Sequence, residues 1–78
     1  MSFYEAKRAF SDPFAIVALD GAHSPRGMHE LRWWLLGKVE GRVMLVRYTH
    51  RPKGTIRIIG AGYWEIGATI YEEKNRSR

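Results

Sequence analysis

The sequence predicts a single α+β domain over residues 1–78, an antiparallel sheet of about four strands flanked by an N-terminal and a C-terminal helix. Three observations predict it. The 78 residues make one domain at most, whose folding buries only about 60% of the unfolded surface, so its core is thin. Four short runs rich in β-branched, aromatic and leucine residues recur between turn signals. Apolar residues at helical spacing stand at both ends of the chain.

The elements follow in order. Ser2-x-x-Glu5 is a capping box, and Phe3, Ala6 and Phe10 continue at helical spacing until Ser11-Asp12-Pro13 ends the helix. Residues 14–19 form a strand stopped by Asp20-Gly21, and a loop with Pro25 and Gly27 follows. Residues 30–38, 42–51 and 55–61 read as three further strands. Residues 62–74 read as a helix with Tyr63, Ile66 and Ile70 on one side, although Gly67 costs about 1 kcal/mol relative to Ala. Residues 74–78 read as a basic, frayed tail.

Turn chemistry and face pattern choose the registers. A three-residue loop at Pro52-Lys53-Gly54, with Gly54 left-handed, sets Arg51 opposite Thr55, Thr49 opposite Arg57 and Tyr48 opposite Ile58. The polar side chains then share one face, whereas a two-residue loop would mix the faces. A Glu40-Gly41 turn puts Leu31, Trp33 and Leu35 on the face of Met44, Val46 and Tyr48, a credible core. The opposite face carries Glu30, Arg32, Trp34, Arg47, Thr49, Arg51, Thr55 and Arg57. It turns apolar at Val43, Leu45, Ile59 and Ala61, where a helix could cover it.

Charge is unevenly spread. Residues 1–40 hold five basic and five acidic side chains, so residues 41–78 carry the whole net charge of +5. From Gly41 to Ala61 there are five basic residues and no acid. Such a one-sided field favours a polyanion. The composition excludes much else. Zero Cys rules out disulfides and thiolate metal sites, and no apolar run is long enough to cross a membrane. His23, His29 and His50 have no metal-ligand spacing with carboxylates. The chain contains no Ser-His-Asp, phosphate-loop or dinucleotide pattern. No metal or cofactor is expected, and a cytoplasmic location fits.

The polar face suggests a chemistry. Four guanidiniums on one side of a sheet repel one another unless anions intervene, and phosphate is the anion that Arg binds bidentately. Trp34 offers a stacking surface for a base. Metal-free RNA cleavage needs a base for the 2′-hydroxyl proton and cations for the dianionic phosphorane. Glu30 or His29 could serve as the base, Arg32, Arg47, Arg51 and Arg57 as the clamp, and Lys53 and Arg42 as further RNA contacts. Thr49 lies among them, although Thr is also a good strand former. Trp33 and Tyr48 fall on the core face and read as packing. Gly60-Ala61-Gly62 reads as room for a helix to approach the strand end.

The same residues resemble the BrnT toxin family of type II toxin–antitoxin systems. The likeness runs from Ser2-Phe3-x-Glu5-Ala6 through Phe10-x-Asp12-Pro13, Asp20 with His23-Ser24, and Glu30-x-Arg32. It continues with Gly37, Arg42-Val43-x-Leu45-Val46-x-Tyr48-Thr49-x-Arg51, Ile56-Arg57-Ile58-Ile59 and Tyr71-Glu72-Glu73. The resemblance implies a RelE-like fold and an endoribonuclease that slows translation. It also implies a cognate BrnA-like antitoxin with a ribbon-helix-helix region, through which alone operator DNA would be bound. Glu30, Arg32, Thr49, Arg51 and Arg57 match family motif positions. Family members usually carry another strand, and a helix ending in Lys-His-Gly, before the Ser-Phe-x-Glu-Ala string; this chain is expected to lack them. Where the family continues Ile-Ser-Ala-Arg, this chain reads Ile59-Gly60-Ala61-Gly62, without the arginine.

A second reading is a non-catalytic module whose basic face docks RNA or an acidic antitoxin segment, with apolar surface left over for a partner or a homodimer. A groove-reading DNA binder fits less well, because no helix here is both basic and exposed.

Overall fold

The structure is a computed structural model that describes residues 3–21 and 31–76. Capping by Ser2, the loop with Pro25 and Gly27, and the expected strand start at Glu30 lie outside the described residues. Helix α1 (Phe3–Phe10) leads into strand β1 (Ile16–Leu19), then β2 (Arg32–Val39), β3 (Arg42–His50), a short turn of 3-10 helix at Pro52–Gly54, β4 (Ile56–Tyr63) and helix α2 (Glu65–Arg76). The four strands form one antiparallel sheet in chain order. This is the expected α+β arrangement, with one helix on each face.

Both expected registers are present. Val39 pairs with Arg42 across Glu40 and Gly41, whose φ angles of 50° and 81° are the left-handed pair that a tight two-residue hairpin turn requires. Tyr48 pairs with Ile58 and Thr49 with Arg57, and the Arg51 N–H donates to the Thr55 carbonyl at 2.8 Å. Gly54 is left-handed as expected (φ 76°), and Lys53 joins it at φ 67°.

One face carries Ala6, Ala9, Leu35, Val39, Met44, Val46 and Tyr48, buried between α1 and the sheet. Phe10 packs edge-on against Tyr48, with ring centroids 5.0 Å apart. Helix α1 lies so close that a Cβ at Gly37 would collide with the Ala9 carbonyl oxygen. The opposite face buries Leu36, Val43 and Tyr71 under α2. There the close approach is made by Gly67 of the helix, where an added Cβ would stand 2.6 Å from the Trp64 ring and 3.0 Å from Leu36.

The chain corrects the sequence reading in β4 and α2. β4 continues to Tyr63 and α2 starts only at Glu65, because a bulge between Gly60 and Ile58 lets the strand absorb one extra residue. After the bulge, Ala61 pairs with Val46 on the α1 face and Gly60 and Gly62 take the other, so Ala61 does not extend the apolar end of the polar face. The helix accordingly buries Gly67 and Tyr71, whereas Ile66 is exposed. Residues 74–76 are its last turn rather than a frayed tail. Gly60 and Gly62 meet nothing within 4 Å at the position of a Cβ, so the helix's closest approach is not theirs.

Candidate nucleic-acid interface

Alternation along the paired strands builds the α2 face row by row. One row runs Ala18, Trp34, Arg47, Gly60 across β1 to β4. The next runs Arg32, Thr49, Arg57, and it begins on Asp20, whose N–H donates to the Arg32 carbonyl at 2.8 Å. Arg51 is extended at φ −117° and ψ 162°, two residues past Thr49, at the rim of the same face. The register therefore brings Arg32, Arg47 and Arg57 together, with Arg51 beside them. Arg47 lies diagonally across from both Arg32 and Arg57, at about 7–8 Å and within a Debye length, so these cations share one electrostatic field. Arg47, Arg51 and Arg57 are exposed and Arg32 is half-buried.

The sequence reading missed Asp20. Asp20-Gly21 reads as a strand stop, yet Ile16, Ala18 and Asp20 alternate onto the polar face. Asp20 is 7% exposed, and its Oδ2 lies 3.7 Å from Arg47 Nε. This carboxylate sits within the arginine group whatever Glu30 does, and Glu30 and His29 both lie outside the described residues.

Not every candidate joins the cluster. Arg42 points to the α1 face, where its guanidinium stacks 4.0 Å from the Tyr63 ring centroid. The Tyr63 hydroxyl donates to Glu5 at 3.0 Å, and that bond, aided by burial, holds the phenol above its ordinary pKa. Lys53 is exposed at the loop tip beyond Arg51. His50 stands on the α1 face against Trp33 and Tyr48. Burial raises the Tyr48 phenol pKa, which suits packing rather than proton transfer.

Thr49, expected among the reacting residues, is enclosed within the sheet. It is 1% exposed, and its hydroxyl donates to the Leu31 carbonyl at 2.9 Å. That commitment makes it a staple holding the start of β2 against β3. Thr49→Val should therefore cost about 1 kcal/mol through the missing hydrogen bond, lowering Tm by about 4–8 °C, and leave RNA binding within about threefold of the parent. A loss of binding without a loss of stability would return Thr49 to the reacting group.

Two hollows adjoin the cluster, and Leu45, Arg47 and Trp64 line both. One, of about 280 Å³, has Gly60 and Gly62 in its lining. The other, of about 210 Å³, lies between the sheet and α2 and is walled by Trp34, Ile70 and Asp20. Among the described residues no cluster of His, Asp and Glu could hold a metal ion, and no helix is long and apolar enough to cross a membrane.

A small antiparallel α+β fold with arginines gathered on one face of its sheet defines the class of the protein. The family model described as "Ribonuclease toxin, BrnT, of type II toxin-antitoxin system" matches residues 1–66. The chain belongs to that family. Comparison with curated proteins and with solved structures finds no match.

Proposed function

We propose that the chain is the toxin of its type II pair and a metal-independent endoribonuclease acting on single-stranded RNA in the cytoplasm, where cutting messages inhibits translation. The observation that supports this most is the shared face of Arg32, Arg47 and Arg57, closed by Asp20 at one end and Arg51 at the rim. These cations suit a phosphate that gains a second negative charge on its way to the phosphorane. In the proposed step the 2′-oxygen attacks the adjacent phosphorus, its proton goes to Glu30 or His29, and the 5′-oxygen leaves with a proton from solvent. The products are a 2′,3′-cyclic phosphate and a 5′-hydroxyl.

A cognate BrnA-like antitoxin would silence the toxin by occupying the same face, and would carry any contact with operator DNA. One observation favours the second reading, a module that binds without cutting. Val17, Leu19 and Leu31 are each about half exposed at the β1 edge, a short apolar strip suited to a partner chain or a homodimer.

The test is cleavage of a defined RNA by the folded protein in excess EDTA. The expected result is cyclic-phosphate products from RNA and none from its 2′-O-methyl counterpart, with growth arrest on expression. Intact RNA, from protein that binds its antitoxin and is folded by circular dichroism, would sink the ribonuclease reading and leave the binding module.

A further inference from the structure

We infer that Arg47, Arg57 and Arg51 form a ladder along β3 that holds three consecutive phosphates of one extended RNA strand. The inference rests on the RNA-handling reading and names what that face selects: a single strand drawn out along β3, with a footprint of three phosphates.

The spacing comes from the strand itself. Side chains on one face of an antiparallel strand recur every two residues, an advance of about 6.8 Å. Arg47 and Thr49 stand at that interval on β3, and Arg51, extended at φ −117° and ψ 162°, continues it just past the strand end. Thr49 is 1% exposed, so the middle row has no long side chain on β3 itself. Its cation comes from β4, where Arg57 pairs with Thr49, and Arg32 flanks the same position from β2. Consecutive phosphates of an extended single strand recur at nearly this interval, so one phosphate falls to each row. A guanidinium is suited to each, since its fork of donors matches phosphate oxygens. In a duplex the phosphates of each strand wind around the helix axis, and a straight row of cations follows neither strand.

The ladder has two fixed ends, which set the count. Past Arg51 the chain turns at Pro52–Gly54, with Lys53 and Gly54 both left-handed, so the two-residue period stops there. On the other side of Arg47 the next row is Leu36, Leu45 and Gly62, which carries no charge, and Trp64 lines the hollow beside it. The three cations are within reach of a strand laid on the sheet. Arg51 and Arg57 are exposed, and Arg47 keeps 46% of its side chain exposed while standing 3.7 Å from Asp20. The strand also contains its own control. Arg42 belongs to β3 but alternates to the α1 face, where it stacks on Tyr63.

The experiment uses the whole chain and 2′-O-methyl oligouridylates, which cannot be cut, read by fluorescence anisotropy. Affinity should rise about tenfold with each phosphate added up to three, the scale of one charge-assisted contact, and by less than about twofold for each one after. At three phosphates or more the slope of log K against log salt should be about −2. A duplex of the same length should bind about tenfold or more weakly than the single strand. In the three-phosphate oligomer, replacing one linkage at a time by a neutral methylphosphonate gives the order of the rungs. Arg51→Gln should lose sensitivity to one terminal linkage, Arg57→Gln to the middle one and Arg47→Gln to the other terminal one. Arg42→Gln should keep the parent's sensitivity to all three. The length series needs no variant, so it decides even where a substitution fails to fold. Affinity that climbs undiminished past three phosphates, a duplex that binds as well as the single strand, or variants that lose sensitivity at all three linkages alike would overturn the ladder. In those cases cleavage of RNA in EDTA leaves the ribonuclease reading standing, whereas binding of no oligomer together with RNA left whole removes both.

Discussion

Arg57→Glu will weaken RNA binding by about 100-fold or more at low salt, the scale of removing one charge-assisted hydrogen bond and putting repulsion in its place. Its melting temperature should stay within a few degrees of the parent. Position explains both effects. Arg57 is exposed on β4, directly across from Thr49, with its side chain on the face that also carries Arg32 and Arg47. The β4 backbone keeps its ladder in the variant, and the apolar packing is untouched. Arg51→Glu at the rim should act in the same direction. Salt dependence separates a phosphate contact from a general field: each phosphate no longer neutralised should lower the slope of log K against log salt by about 0.7 for a single strand. Arg8→Gln is the control. Arg8 sits on α1, over the other face, where its Nη1 donates to Glu40 at 3.1 Å. Its removal should leave the slope unchanged. Folded Arg57→Glu and Arg51→Glu proteins that bind RNA as the parent does would end the claim that this face handles phosphate.

How much of this arrangement the sequence carries follows from how its residues set register. Between β2 and β3 the Glu40-Gly41 turn and the alternation of Trp33, Leu35 with Met44, Val46 leave one pairing, because a one-residue slip would turn the core face to solvent. The Pro52-Lys53-Gly54 loop does the same for Thr49 and Arg57. Past Ile58 that logic stops. Ile59, Gly60, Ala61 and Gly62 have no polar–apolar alternation to register, so the bulge that moves Ala61 to the α1 face leaves no trace in the pattern. The glycine pair mimics a helix-approach motif, while the true close approach is Gly67, which the sequence alone marks only as a weak helix former. Asp20 illustrates the reverse case. Its position after Ile16 and Ala18 was sufficient to place it on the arginine face, but Asp-Gly is also a strong turn signal, and the two readings compete at that residue. Arg42 was drawn into the site by charge density along the chain. Strand alternation sends it to the other side, over Tyr63, and linear charge cannot distinguish the two faces.

The largest stability effect should come from Asp12, which touches three elements at once. Its Oδ1 accepts the Phe14 N–H at 2.9 Å, capping the turn after α1. Its Oδ2 accepts the Lys38 N–H at 2.8 Å and the Tyr71 hydroxyl at 2.6 Å. One carboxylate therefore ties the end of α1 to β2 and, through the sheet edge, to α2 on the opposite face. Asn75 adds a second strap, donating to the Phe14 carbonyl at 3.1 Å. Asp12→Ala should cost about 3 kcal/mol or more, since hydrogen bonds to a charged acceptor contribute about 1.5–3 kcal/mol each and partial exposure lets water replace some of them. For a chain of this size the total stability is about 4–12 kcal/mol, so the variant should be partly unfolded at 37 °C. Tyr71→Phe removes one bond and keeps the ring beneath Lys38, so about 1–1.5 kcal/mol is expected, and the double variant should cost less than the sum, because the two changes break the same bond. Acid gives an independent reading. Burial alone would raise the Asp12 pKa, but the Tyr71 hydroxyl, the Lys38 and Phe14 N–H groups and the Lys38 charge outweigh it and hold the carboxyl below its usual value. A carboxyl whose folded pKa lies below its unfolded one stabilises the fold above the unfolded value, near 3.9, and loses that contribution as pH falls through the folded value. The stability gap between the parent and Asp12→Asn, measured by urea unfolding, should therefore be widest above about pH 5 and narrow steadily toward about pH 2. A gap that stays constant across that range would mean that the ionised carboxylate does not hold the two helices to the sheet.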